Sequence, residues 1–362
     1  MKQFQVNRTN LDATRIVTSD AELPSVSAGE ILVRVQKFGF SANNITYAVA
    51  GDQLGYWQFF PPMGEDAEGW GVIPVWGFAE VVDSQVDDIT VGERFFGYFP
   101  PATHLIMEAG DISSRNFFDT SEHRAQLPKG YNLYHRLVAE PESTPMADDL
   151  RMLLYPLYVT SFALWDQLKE NDWYDAEQII IVSASSKTSI GLGYALNGDD
   201  AAPDTIGITS ARNVSFVDGL NIYDSTVAYD DLEASIAQRP TAIVDMAGNA
   251  DVLGRLHNHL GDNMVRTLNV GLTHWEGQGR DERVNRDRSE FFFAPGRIQK
   301  RISDWGLRVF NERSTSFVME TASKSMTWLK LQPVEGIQGL DAVFSSVAQG
   351  TIDPSIGLTV EM

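Results

Sequence analysis

The chain has 362 residues, 43% of them hydrophobic and 21% charged, which suits two folded domains and excludes a disordered chain. A formal net charge of −21 disfavours nucleic acid and anionic lipid as partners. The sequence has no cysteine, which excludes disulfides, thiolate zinc sites, iron–sulfur clusters and a cysteine nucleophile.

No run of about 18 uncharged apolar residues occurs, so no membrane span is expected. The start, MKQFQVNRTN, lacks the apolar core of a signal peptide, and a cytoplasmic protein is the expectation. An anionic ligand on so acidic a chain needs a local basic pocket.

Residues 29–39 (GEILVRVQKFG) alternate Ile31, Val33 and Val35 with Arg34 and Gln36, which predicts a half-buried strand with Leu32 as the exception. Residues 75–82 (VWGFAEVV), interrupted by Gly77, and 92–99 (GERFFGYF) predict two more strands in a compact β-rich unit. Residues 149–169 have helical spacing, with Pro156 expected to kink or split them. The apolar run 178–183 (QIIIVS) predicts a strand buried on both faces of a parallel sheet, followed by a helix over 189–196. Strands are then predicted at 205–209, 226–229, 241–245 and 264–270, with helical stretches at 211–219, 231–238 and 249–260. That alternation predicts a doubly wound sheet. The charged run 280–288 reads as a solvated loop or helix start, 294–310 as one helix and 350–362 as a turn and a strand.

The stretch 179–191 (IIIVSASSKTSIG) is a strand, a polar loop and a helix start. Amides at such a helix start and its dipole form an anion site suited to a pyrophosphate. Ser185, Ser186, Lys187 and Thr188 are its candidate residues; a plain helix N-cap beside a surface lysine is the other reading. A P-loop is excluded, because it needs glycine directly before the lysine, where Ser186 stands. At the end of the second strand, an acidic residue would bind the ribose 2′-hydroxyl of NAD, whereas arginine accommodates the 2′-phosphate of NADP. Ser210, Arg212 and Asn213 occur there and no carboxylate does, so NADP is the expected cofactor; Arg212 also fits a simple surface position. Ala247 with Gly248, and Val270 with Gly271, end further strands where small residues admit the nicotinamide half. His257 and His259 stand two apart on a helix and do not share a face, so no metal site is expected.

Together these segments resemble the medium-chain dehydrogenase/reductase superfamily over nearly the whole chain. GEILVRVQKFG matches an early strand of its GroES-like domain, DDITVGERFFGY its Gly-Asp-Arg-Val segment, and LYVTSFALWDQL the helix before its nucleotide domain. VWGFAEVV, GYFP and SASSKT resemble, more specifically, a DUF2855-like branch. The resemblance implies an α/β fold: a GroES-like β-rich domain at 1–144 and 350–362, and a Rossmann doubly wound domain at 145–349. It also implies substrate between the domains, a homodimer, and loop glycines at positions held here by Ser186, Lys187 and Ser189. With no cysteine and no Gly-His-Glu motif, the chain is similar to zinc-free quinone and enoyl reductases. In those a tyrosine and polar neighbours face the nicotinamide, and Tyr47, Asn43 and Asn44 occupy the corresponding stretch. The other reading has Tyr47 packing on Phe40 and the asparagines making a turn. An NADPH-dependent, metal-free reductase of an activated C=C bond or quinone is therefore expected. Metal-free carbonyl reduction and a non-catalytic NADPH-binding sensor or scaffold are the alternatives.

Overall fold

The computed structural model describes residues 1–139, 144–271 and 281–362. These form two units, Met1–Leu153 with Leu329–Met362, and Leu154–Trp328.

The first unit is built around the strand Glu30–Phe40. Six strands follow one another through Val75–Ser84, Arg94–Phe99, Leu133–Arg136, Asn116–Asp119 and His104–Gly110, and the last pairs back onto the first. The closed ring leaves no free edge among them. A register shift between Leu32 and Val33 breaks strict alternation, and Leu32 is buried with its neighbours. Gly77 does not interrupt its strand. It sits opposite Phe38, where an added Cβ would lie 2.2 Å from the Lys37 carbonyl oxygen.

The unit boundaries differ from those read in the sequence. Residues 329–349 belong to the first unit. Lys330–Glu335 pairs in parallel with Ile356–Glu361, which pairs antiparallel with Glu30–Phe40. The intervening helix Gly336–Ala348 buries Ile337, Leu340, Phe344 and Val347. The Phe344 ring lies 5.3 Å from Phe4 and 5.9 Å from Phe40, so the segment completes this core. Residues 145–153 also lie in the first unit: Asp149 accepts from Lys37 at 2.8 Å and Asp148 from Arg94 at 3.1 Å. The helix Pro145–Glu170 runs through Pro156 without splitting. Buried Leu153, Leu154, Leu157 and Tyr158 flank the proline, and this burial outweighs its cost of roughly 3 kcal/mol.

The second unit holds a six-stranded, all-parallel sheet. Its order is Ser225–Ala228, Asp204–Thr209, Gln178–Val182, Thr241–Asp245, Met264–Asn269, Ser289–Phe291. Numbered within the unit this is 3-2-1-4-5-6, the dinucleotide-binding order, whose direction reverses between the first and fourth strands. Every residue of Gln178–Val182 is buried. Ile180 and Val182 join one apolar cluster, Ile179 and Ile181 another, so both sheet faces are covered. The helix expected over 294–310 is two, Ala294–Trp305 and Leu307–Ser325. They part at Gly306, whose φ of 81° and ψ of 151° no helix contains. In the charged run 280–288, Arg280 lies outside the described residues, and Asp281–Arg288 forms a loop without helix. No helix among the described residues is long and apolar enough to cross a membrane.

Candidate functional site

At the reversal point, the strand Gln178–Val182 gives way to Ser183, which adopts φ 64°. This is left-handed backbone that favours glycine, and here serine supplies it. Ala184 N–H donates to the Ile208 carbonyl at 2.8 Å, tying the loop to the second strand. Ser186 caps the helix Lys187–Asn197: its hydroxyl accepts from Ser189 N–H at 3.2 Å and lies 2.8 Å from the Ser189 hydroxyl. Lys187 and Thr188 follow in the first turn, half-buried. The glycines that the resemblance places in the loop are absent, but Gly191 and Gly193 stand one turn into the helix. A Cβ on Gly191 would lie 2.5 Å from Ser161 Oγ and 2.6 Å from Tyr158 Cδ1. Close approach is thus achieved inside the helix, and Ser161 Oγ donates to the Thr188 carbonyl at 2.7 Å. Gly191→Ala is expected to cost about 1–3 kcal/mol by overpacking, measured as a lower urea midpoint.

The second strand ends beside this loop. Thr209 Oγ1 donates to Ser185 Oγ at 3.1 Å, and Asn213 Nδ2 donates to the same oxygen at 3.2 Å. Ser185, Asn213 and Thr209 are therefore brought together; Thr209 is a residue that the sequence reading passed over. Ser210 begins the short turn Ala211–Asn213, on which Arg212 is exposed.

Asp245 joins the remaining candidates. Its side chain accepts from Ala247 N–H at 2.9 Å and Gly248 N–H at 3.0 Å. Its backbone carbonyl accepts from Val270 N–H at 2.9 Å and Gly271 N–H at 3.0 Å. One residue thus brackets both small-residue exits, and it pairs in register with Val182 of the first strand. Burial pushes its carboxyl up to about 6, against the two amide hydrogen bonds. The signal for it was in the sequence, an acidic residue ending a buried strand and followed by Met-Ala-Gly.

In the first unit, Ser41 caps the helix Ala42–Val49 in a capping box with Asn44. Asn44 is spent on the fold: its Oδ1 accepts from Ser41 N–H at 2.9 Å and its Nδ2 donates to the Pro74 carbonyl at 3.0 Å. Tyr47 is buried among Tyr56, Tyr98 and Tyr131, with ring centroids 4.6, 5.7 and 6.4 Å away. Burial raises its phenol above the usual 10, while the polar groups of Trp76, Asn43 and Tyr98 beside it work against that rise. Asn43 and Tyr47 are thus brought together, and Trp76 and Tyr98 join them without having been foreseen.

His257 and His259 have protein partners. His257 lies 2.9 Å from Thr267 Oγ1 and accepts from Asn285 N–H at 2.9 Å, and burial lowers it to about 4. His259 bonds the Ile236 carbonyl at 2.8 Å. Among the described residues, no three His, Asp or Glu side chains cluster as metal ligands.

A β-rich unit with a closed ring of strands and a 3-2-1-4-5-6 parallel sheet define the medium-chain dehydrogenase/reductase fold, and solved structures carry the same likeness. CurA from Vibrio vulnificus, solved in complex with NADPH, is 15% identical with a TM-score of 0.60 over 100% of this chain and 99% of that chain. A mutant enoyl thioester reductase from Candida tropicalis is 10% identical, TM-score 0.54, over 100% and 99%. Haloferax mediterranei glucose dehydrogenase, solved with NADP, Zn and gluconolactone, is 13% identical, TM-score 0.52, over 100% and 99%. The chain belongs to the family described as protein of unknown function (DUF2855), whose model matches residues 38–353. No curated protein matches it.

Proposed function

We propose that this protein is an NADPH-dependent oxidoreductase that reduces an activated C=C bond or a quinone without a metal. The observation that carries the reading is the charge character of the sheet's reversal point. Residues 183–189 (SASSKTS) and 209–213 (TSARN) offer hydroxyls, a lysine, an arginine and a capped helix start, and no carboxylate. That donor set fits a pyrophosphate and a ribose 2′-phosphate. The neighbouring Asp245 carboxyl, pushed up to about 6 by burial, still carries charge at neutral pH and is held by the Ala247 and Gly248 amides.

In this reading Ser185, Ser186, Lys187 and Thr188 hold the pyrophosphate. Ser210, Arg212 and Asn213 hold the 2′-phosphate. Ala247, Gly248, Val270 and Gly271 border the nicotinamide half. NADPH supplies the hydride when bound. Tyr47 holds a proton for the substrate oxygen that gains charge, with Asn43 beside it. The carry-over of the reductase chemistry draws on the fold shared with CurA and the enoyl thioester reductase.

Calorimetry tests the first half: NADPH should bind at micromolar concentration, and no heat at that concentration ends the reading. Paired enone, quinone and ketone substrates test the second half, and turnover of ketones alone would favour carbonyl reduction. A non-catalytic sensor or scaffold protein, binding NADPH without turnover or no longer binding it, is a further reading. The observation in its favour is that the Ser185 and Ser186 hydroxyls already have protein partners, which leaves them less free to hold a pyrophosphate.

A further inference from the structure

Trp76 Nε1–H donates to the Tyr47 hydroxyl oxygen at 3.3 Å. An indole nitrogen is a donor only, so this bond has one direction. The Tyr47 oxygen accepts, and its proton points elsewhere. Among the described residues the buried Tyr98 hydroxyl has no hydrogen-bond partner, so Trp76 is the donor that the geometry gives to the Tyr47 oxygen. The Tyr98 ring meets that of Tyr47 edge-on at 5.7 Å and 88°.

The donor is held in place: the Trp76 ring stacks on Phe96 at 5.6 Å and 26°. Tyr56 and Tyr131, by contrast, satisfy each other at 2.9 Å.

We propose that Trp76 is a positioning residue that occupies the Tyr47 oxygen as acceptor, committing the Tyr47 proton to the substrate. The inference rests on the donor role given to Tyr47 above. It also narrows the substrate class. The reducible bond must be conjugated to an oxygen, as in an enone or a quinone. NADPH, when bound, would supply the hydride to the β-carbon and would itself be oxidised. The π pair shifts onto the oxygen, which takes the Tyr47 proton, and water restores that proton. The Trp76 hydrogen bond to the phenol oxygen favours the charge left there. An alkene without such an oxygen gives Tyr47 nothing to protonate.

The test places 2,3,5-trifluorotyrosine at position 47 of the full chain and titrates it by fluorine NMR, without cofactor or turnover. Trp76→Phe should raise the phenol pKa by about half a unit or more, the loss of one hydrogen bond. Tyr56→Phe, which disturbs the other phenol pair, should leave it unchanged. An unchanged titration in the Trp76 variant overturns the proposal. Should Trp76→Phe misfold, 3-benzothienylalanine at position 76 repeats the test, exchanging the indole N–H for sulfur while keeping the ring shape. In NADPH-dependent enone reduction, kcat should fall about tenfold in the Trp76 variant, with KM and NADPH affinity unchanged. Absent NADPH binding would end the functional reading, while the fluorine titration would still decide this one.

Discussion

Replacing Arg212 by alanine is expected to weaken NADPH binding by about tenfold to a hundredfold and NADH binding by less than about threefold. The size follows from hydrogen bonds to a charged group, worth about 1.5–3 kcal/mol, at 1.4 kcal/mol per factor of ten. Arg212 is exposed on the turn Ala211–Asn213, directly after the second strand. It is the one arginine at that exit, in a chain with 49 acidic residues against 28 basic ones. The 2′-phosphate is the sole difference between the two cofactors, so the ratio of losses isolates the contact from general damage to the fold. Calorimetry of both nucleotides with both proteins makes the comparison. Equal losses would mean that Arg212 acts on the fold or on the pyrophosphate, and the assignment to the 2′-phosphate would be withdrawn.

How far this site was legible depends on how local its signals are. The strand Gln178–Val182 announces itself by five consecutive buried positions, because a strand covered on both faces has no polar side to alternate. The cap at Ser186 and the arginine after the second strand are equally local. Ser183 is different. Its positive φ is imposed by the crossing from strand to helix and by the Ala184 bond to Ile208, across 24 residues of sequence. A search for glycine therefore found nothing in the loop, while the close-approach glycines lay further on, at Gly191 and Gly193. The segment Lys330–Glu335 was illegible for a similar reason. Its Pro333 reads as a break, and the strand is tolerable because it lies at a sheet edge with one partner, Ile356–Glu361. The surroundings of Tyr47 come from four separate segments carrying Tyr56, Trp76, Tyr98 and Tyr131. No spacing rule joins those positions: Trp76 and Tyr98 are partners on paired strands of the ring, and Tyr56 and Tyr131 come from short turns outside those strands.

Asp245→Asn is expected to stabilise the protein at pH 7.5, with a gain that fades toward pH 4. The carboxyl titrates at about 6 when folded, against a usual 3.8. Its neutral form is favoured by burial, so its contribution to stability is present below 3.8 and lost as pH rises through 6. By neutral pH the cost is on the order of 3 kcal/mol. Asparagine removes the charge and keeps an acceptor for the Ala247 and Gly248 amides. His257 runs the opposite way. Burial holds it near 4 rather than 6.5, so its contribution is present above 6.5 and lost as pH falls toward 4. In the wild type the two oppose each other between about 4 and 6. In Asp245→Asn the histidine acts unopposed, and denaturant unfolding should show a steeper loss of stability on acidification. Asp245→Ala separates charge from bracket. It relieves the same burial but leaves two amides without an acceptor, at about 1–3 kcal/mol each. Its stability at pH 7.5 should therefore fall below that of the asparagine variant. NADPH affinity should drop about tenfold as the Ala247–Gly248 turn loosens, a loss of about 1.4 kcal/mol. Were alanine and asparagine to behave alike in both measurements, the side chain would not be holding that turn, and the nicotinamide assignment would lose its support.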